Sequence, residues 1–199
     1  MKRIIDILLL IPYLFMFASC EIDNYDGPDA SFSGIIKDVV TGEKVGTDIL
    51  NGSTIRAYEL GWETLTAQTW VIKNTGDFQN DMVFAARYDL EFINGNFFPF
   101  TVENFEITKG KNEHDFEVTP YIRIKDASIA LDNTGKRVVA TFSLEGGKPE
   151  VRVSSVRLYA FTDIYVGEQV KFDLKGSSCH LSFTPSEEIT ASAVHTLSI

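Results

Sequence analysis

Between residues 30 and 118 no 11-residue window of this chain carries a 3.6-residue apolar period. Short alternating runs recur instead, with turn-forming residues between them at roughly 8–12-residue spacing. Ser31 to Lys37 reads as a strand and is followed by DVVTGEKV, where Thr41-Gly42 supplies a tight turn. Ser53 to Leu60 alternates again, and Thr69 to Lys73 is β-rich and closed by Asn74 and Gly76. Met82 to Phe84 and Tyr88 to Ile93 follow, the second ending in Asn94-Gly95-Asn96. Phe105 to Thr108, KGKNEH and Asp115 to Val118 predict a final hairpin. The pattern argues for sheets.

After Thr119-Pro120 the pattern restarts with Tyr121 to Leu131, the turn DNTGK, and Arg137 to Leu144. Val153 to Thr162 and Gln169 to Leu174 are further predicted strands. Thr184-Pro185-Ser186-Glu187 holds the elements of a capping box and predicts one helical turn. The expected fold is all-β: two tandem small β-sandwiches, at 30–119 and 121–199. The second is immunoglobulin- or fibronectin-III-like but short for seven strands, with no obvious final strand pair in HTLSI. Either its last strands are missing from this sequence or the domain is reduced.

The first 20 residues have a different chemistry. Lys2 and Arg3 precede a twelve-residue apolar segment, Ile7 to Ala18, then Ser19 and Cys20. A spanning helix needs roughly 20 apolar residues, so residues 1–19 are expected to be a secretory signal peptide. Phe17-Ala18-Ser19-Cys20 resembles a bacterial lipobox, which makes Cys20 the lipidated first residue of the mature chain. More than one acyl chain anchors stably, at about 0.8 kcal/mol per buried CH₂. Residues 20–29 (CEIDNYDGPD) are then a tether with almost nothing to bury. Oxygens in Asp23-Asn24-Tyr25-Asp26-Gly27 could suit calcium, but the alternate-position spacing of an EF-hand is absent.

Without residues 1–19 the chain keeps 16 Lys and Arg against 27 Asp and Glu, a net of about −11. That charge disfavours nucleic acid and anionic membrane surfaces. Only Cys179 remains after Cys20, so no intramolecular disulfide is available and packing must supply the stability. In GSSCHLSF, Cys179 reads as a small apolar strand residue.

The stretches NYDGPDASFSGIIKDVVTGEKV, STIRAYEL, TWVIKNTGDFQND, ARYDLEFINGNFFPF and DFEVTPYIRI stand in the order found in a group of Bacteroidetes lipoproteins, catalogued as a domain of unknown function. The first half also resembles carboxypeptidase-regulatory or transthyretin-like sandwiches. Gly34, Asp38, Thr41-Gly42 and Val45 match the opening motif of that class, and Thr75-Gly76-Asp77-Phe78 its second motif. In the third, Arg87 stands where a glycine is usual. The resemblance implies an outer-membrane, lipid-anchored accessory protein of a glycan or nutrient uptake system, facing the cell exterior. Implied partners are a TonB-dependent transporter, its partner lipoprotein and polysaccharide. Glu21, Asp23 and Asp26 resemble a surface-export signal.

No catalytic signature is present, whether Gly-x-Ser-x-Gly, His-Glu-x-x-His or a P-loop. His114, His180 and His195 stand singly, so neither a metal site nor a cofactor is expected. His114 and Asp115 are neighbours in an extended run, and neighbouring strand side chains point to opposite faces. The expectation is a protein without enzymatic activity. Aromatic residues are the one enriched feature, and sugar sites use aromatic faces with amides and carboxylates around them. Trp70, between Thr69 and Val71, is expected in the core. Trp62, after Gly61 in a loop, and Phe97 and Phe98 in NGNFFPF are the candidate ligand-binding residues, because two adjacent residues of an extended segment cannot both face inward. The alternative function is a structural spacer or assembly module with no small-molecule ligand.

Overall fold

The computed structural model describes residues 26–174 and 179–199. Cys20, the signal segment and the tether acids Glu21 and Asp23 lie outside the described residues. Among the described residues thirteen strands form two sandwich units, and the all-β expectation holds.

In the first unit, β1 (Ala30–Asp38) turns Ala30, Phe32, Ile36 and Asp38 inward. β2 (Thr54–Glu59), β3 (Ala67–Val71) and β5 (Ala86–Ile93) bury Ile55, Ala57, Trp70, Tyr88, Leu90 and Phe92 from the facing sheet. With β6 (Phe100–Ile107), these strands run in the order β3-β2-β5-β6. The opposite sheet pairs β1 with β4 (Asp77–Val83), β7 (Gly110–Glu113) and β8 (Phe116–Val118). Between the sheets the Phe92 and Phe116 rings lie 4.5 Å apart, and Trp70 and Tyr88 5.7 Å apart. Each fully buried Phe or Ile contributes roughly 1.5–3 kcal/mol.

The predicted hairpin at 105–118 does not form. β6 stays with β5, whereas β7 and β8 cross to the other sheet and pair with β1 in parallel. The crossing turn is held by Asn112, whose Nδ2 donates to Thr108 O at 2.6 Å. A local hairpin would have left β1, with Phe32 and Ile36 fully buried, unpaired along one side. The same crossing explains Gly34, because a Cβ there would stand 1.8 Å from the His114 carbonyl oxygen.

In the second unit, β9 (Ile122–Leu131) and β10 (Val138–Gly146) form the hairpin that DNTGK predicts, with Asp132 accepting backbone N–H groups across the turn. β13 (Val194–Ser198) pairs with β10, so HTLSI does contain a strand. The facing layer is β11 (Arg152–Arg157) with β12 (His180–Glu188). Phe142, Leu144, Val153 and Leu197 form a small core, with Val156 and Phe183 packed against it. Among the described residues this makes five strands. The core-facing row of edge strand β9 is correspondingly open, with Ile124, Ile129 and Leu131 exposed.

Three sequence expectations fail in this unit. Thr184–Glu187 is not a helical turn but part of β12, where residues 183–186 bulge opposite Ser154 and Pro185 follows a cis bond. The bulge spares the ladder a donor that proline lacks. One isolated turn could not offset its nucleation cost, whereas the strand buries part of Phe183. Gln169–Leu174 forms no strand either, and β11 ends at Arg157 rather than Thr162. The intervening backbone bonds locally, Gly167 and Val170 exchanging N–H···O contacts of 3.0 and 3.1 Å.

Candidate functional site

β1 and β5 both run from the end of the first unit where the chain enters to the end where it meets the second. At the entering end Asp29 Oδ1 accepts from Ala85 N–H at 2.8 Å, beside the first residues of both strands. At the other end Asp38 closes β1, and Asn94-Gly95-Asn96 follows β5. The turns from sequence-distant segments therefore converge where the two units join.

The junction is closed by charge and by rings. Asp38 and Arg123 of β9 meet side-on, with Nε and Nη2 donating to the two carboxylate oxygens at 2.5 and 2.8 Å. Their side chains are only 6% and 9% exposed. The guanidinium holds the Asp38 carboxyl below the usual carboxylate range, and the carboxylate pushes Arg123 further up. Arg123 also reaches Glu145 at 3.3 Å, and Lys125 donates to Glu145 at 2.9 Å, which holds that carboxyl down. Bidentate pairing of this kind fixes orientation as well as charge.

The NGNFFPF loop completes the junction. Phe97 is 1% exposed and belongs to the core of the first unit. It has no face to offer a ligand. Phe98 is half-buried against Tyr121, ring centroids 4.5 Å apart, and Lys148 Nζ sits 3.8 Å from its ring centroid. Phe98 N–H donates to Thr119 O, and Tyr121 N–H donates to Asn96 O. Side chains of an extended segment face opposite ways, so Phe97 packs into the first unit while Phe98 joins it to the second. Trp62 is 67% exposed in the β2–β3 turn. Because Leu60 N–H donates to Arg87 O, that turn lies at the entering end, opposite the junction. The three candidate aromatics do not converge.

What does converge is a polar groove. A cleft of about 700 Å³ lies between the TGEK turn, Asn96 and strand β9, with Glu43, Lys44, Arg123 and Lys125 in its walls. It shares Gly46 and Asn96 with a shallower space of about 460 Å³ lined by Asn51, Asn74, Asn94 and Asp48. The long 158–174 segment reaches this region, where Glu168 N–H donates to Asp48 Oδ2 at 2.9 Å. That bond, with those from Asn51 and Leu50, holds the Asp48 carboxyl down. Primary amides both donate and accept, and the carboxylates accept, so the lining matches a polyhydroxylated ligand. Sequence reading missed these asparagines because each sits in a turn, where asparagine is ordinary. Only their common end of the sandwich singles them out.

Among the described residues no group of three or more His, Cys, Asp or Glu side chains is placed to hold a metal ion. His114 packs edge-on against Phe116, and Asp115 is 2.8 Å from Lys37 on the other face.

Fold and junction together define a two-sandwich all-β protein with a polar groove where its units meet, continuous with an amide-lined space on the first unit. Residues 30–119 match the N-terminal domain of a family described as a protein of unknown function (DUF3823). A solved structure from Bacteroides uniformis, described as a "putative carbohydrate binding protein", is 48% identical, with a TM-score of 0.82 over 87% of this chain and 80% of that one. DUF3823 family structures from Parabacteroides merdae and Bacteroides ovatus, both 20% identical, share the fold with TM-scores of 0.67 and 0.66. Each covers 81% of its own length, over 87% and 85% of this chain. The chain belongs to the DUF3823 family. No curated protein matches it significantly.

Proposed function

We propose that this chain is a non-catalytic, lipid-anchored protein that binds a glycan in the groove at its domain junction. The observation that carries the reading is the convergence of Asn51, Asn74, Asn94 and Asn96, from turns distant in sequence, on one space whose Asn96 also lines the cleft holding Glu43 and Lys125. Support comes from the relative described as carbohydrate binding, 48% identical over most of both chains. Cys20 carries the anchor, and the outer membrane of a Bacteroides-like cell is its site, with the groove displayed outward. An uptake system is the company such a protein keeps, with a TonB-dependent transporter and its partner lipoprotein as candidate contacts.

The test is binding of neutral oligosaccharides by array and then by calorimetry. Each good hydrogen bond contributes about 1 kcal/mol, so Asn51→Ala with Asn74→Ala should weaken binding about tenfold or more. Unaltered affinity removes the groove from the site. A second reading, a spacer without a small-molecule ligand, is favoured by the buried Asp38–Arg123 pair, which holds two domains in one orientation. It predicts no glycan binding at all.

A further inference from the structure

The end of the first unit opposite the groove carries four exposed apolar side chains. Trp62 and Leu65 stand in the β2–β3 turn, Met82 near the end of β4, and Phe84 in the β4–β5 turn. Their common location follows from pairing: Val83 lies opposite Ala30, and Leu60 is bonded to Arg87. Trp62 is 67% and Met82 69% exposed, whereas the second tryptophan, Trp70, is 6% exposed in the core. Loop tips of a well-packed sandwich have no folding reason to present a tryptophan, a methionine and a phenylalanine together.

The chain outside the described structure says what covers them. It enters at this same end, through Asp29, which stands only nine positions after Cys20. Fully extended, nine residues span at most about 30 Å. We infer that this end rests on the bilayer: Trp62, Leu65, Met82 and Phe84 insert into the interfacial layer of the membrane that holds Cys20. The inference rests on the lipid-anchor reading. Tryptophan suits that layer, its ring apolar and its N–H wet. The net charge near −11 makes the surface a zwitterionic phospholipid one rather than an anionic one. The groove then stands at least one strand length away, about 25 Å, and faces outward.

The experiment uses the chain from Cys20 on, held through an N-terminal histidine tag on nickel-chelating lipid in phosphatidylcholine vesicles. Brominated acyl chains quench tryptophan that reaches the interface. The expected result is a blue shift and about a twofold loss of the Trp62 emission relative to unbrominated vesicles, interfacial helices and side chains entering about 5–10 Å. The loss should vanish in Trp62→Phe, whose remaining Trp70 stays in the core. Leu65→Ser with Met82→Ser should reduce it while far-ultraviolet circular dichroism is unchanged. No quenching of tethered protein overturns the inference. Quenching absent on lipid, with Trp62 shielded only when outer-membrane proteins are added, also overturns it in favour of a protein partner. Tagged tethering works whether or not Cys20 is acylated, and the mass of the native N-terminal peptide tests acylation separately.

Discussion

Arg123 Nη2 donates to Asp38 Oδ1 at 2.8 Å, tying the last residue of β1 to the first strand of the next domain across 85 positions of sequence. The same oxygen accepts from Val40 N–H at 2.9 Å, so one carboxylate shapes the VVTG turn and aligns two sandwiches. Removing one partner of a buried pair strands the other charge. Arg123→Met should therefore cost about 3–5 kcal/mol in urea unfolding. Asp38→Asn, which keeps an acceptor for Val40, should restore much of that loss in the double variant. Additive losses would show that the pair is not coupled.

Acid should weaken the same contact. Asp38 titrates below its ordinary value of 3.8 because Arg123 hydrogen-bonds its charged form. The unfolded chain therefore binds the proton at higher pH than the folded one. The contribution is fully present above about pH 4 and is lost as pH falls through the lowered folded value. Asp115 beside Lys37 and Asp77 beside Lys44 shift in the same direction. Melting temperature followed from neutral pH downward should stay level and then drop below about pH 4. Asp38→Asn should start lower and drop less steeply.

Gly34 should resist even alanine. Its missing Cβ makes room for the His114 carbonyl oxygen, which a Cβ would approach at 1.8 Å, and for the Phe78 ring at 2.8 Å. The obstacle is backbone of the short link between β7 and β8, held on both sides by strands paired to β1, so it cannot swing aside. Gly34→Ala should cost about 2 kcal/mol or more, measured by chemical denaturation. A loss under about 0.5 kcal/mol, the range of ordinary surface changes, would show that β7 does not run against β1 as described.

The two tryptophans should separate cleanly in solution. Iodide should quench Trp62 and spare Trp70, which is packed on Phe32 and Tyr88. Trp62→Phe should abolish most of the quenchable emission and move stability by no more than about 0.5 kcal/mol. Trp70→Ala should cost about 3–5 kcal/mol, as large-to-small core changes do. Equal quenching of both would contradict the packing of the β3 edge.

Much of the fold was legible because strand alternation is local. Ser31–Lys37, Ser53–Leu60 and Tyr88–Ile93 all fall on strands within a few residues of their observed ends. Thr184–Glu187 misled because a capping box is also local, and β12 is decided by Val153 and Phe183 instead. The site was less legible. Phe97 and Phe98 have the chemistry of a sugar platform, yet one is core and the other is roofed by Lys148. The asparagines that do share a groove look like turn residues one at a time.

By itself, then, the sequence determined that the chain is all-β and where its strands and most of its turns fall. Those properties follow from side-chain period and residue chemistry, which act within a few residues. Tertiary structure alone decided which turns share an end, that β7 and β8 cross to β1, and that Asp38 meets Arg123. Such pairings depend on loop closure and burial over tens of residues, where no local pattern specifies a partner.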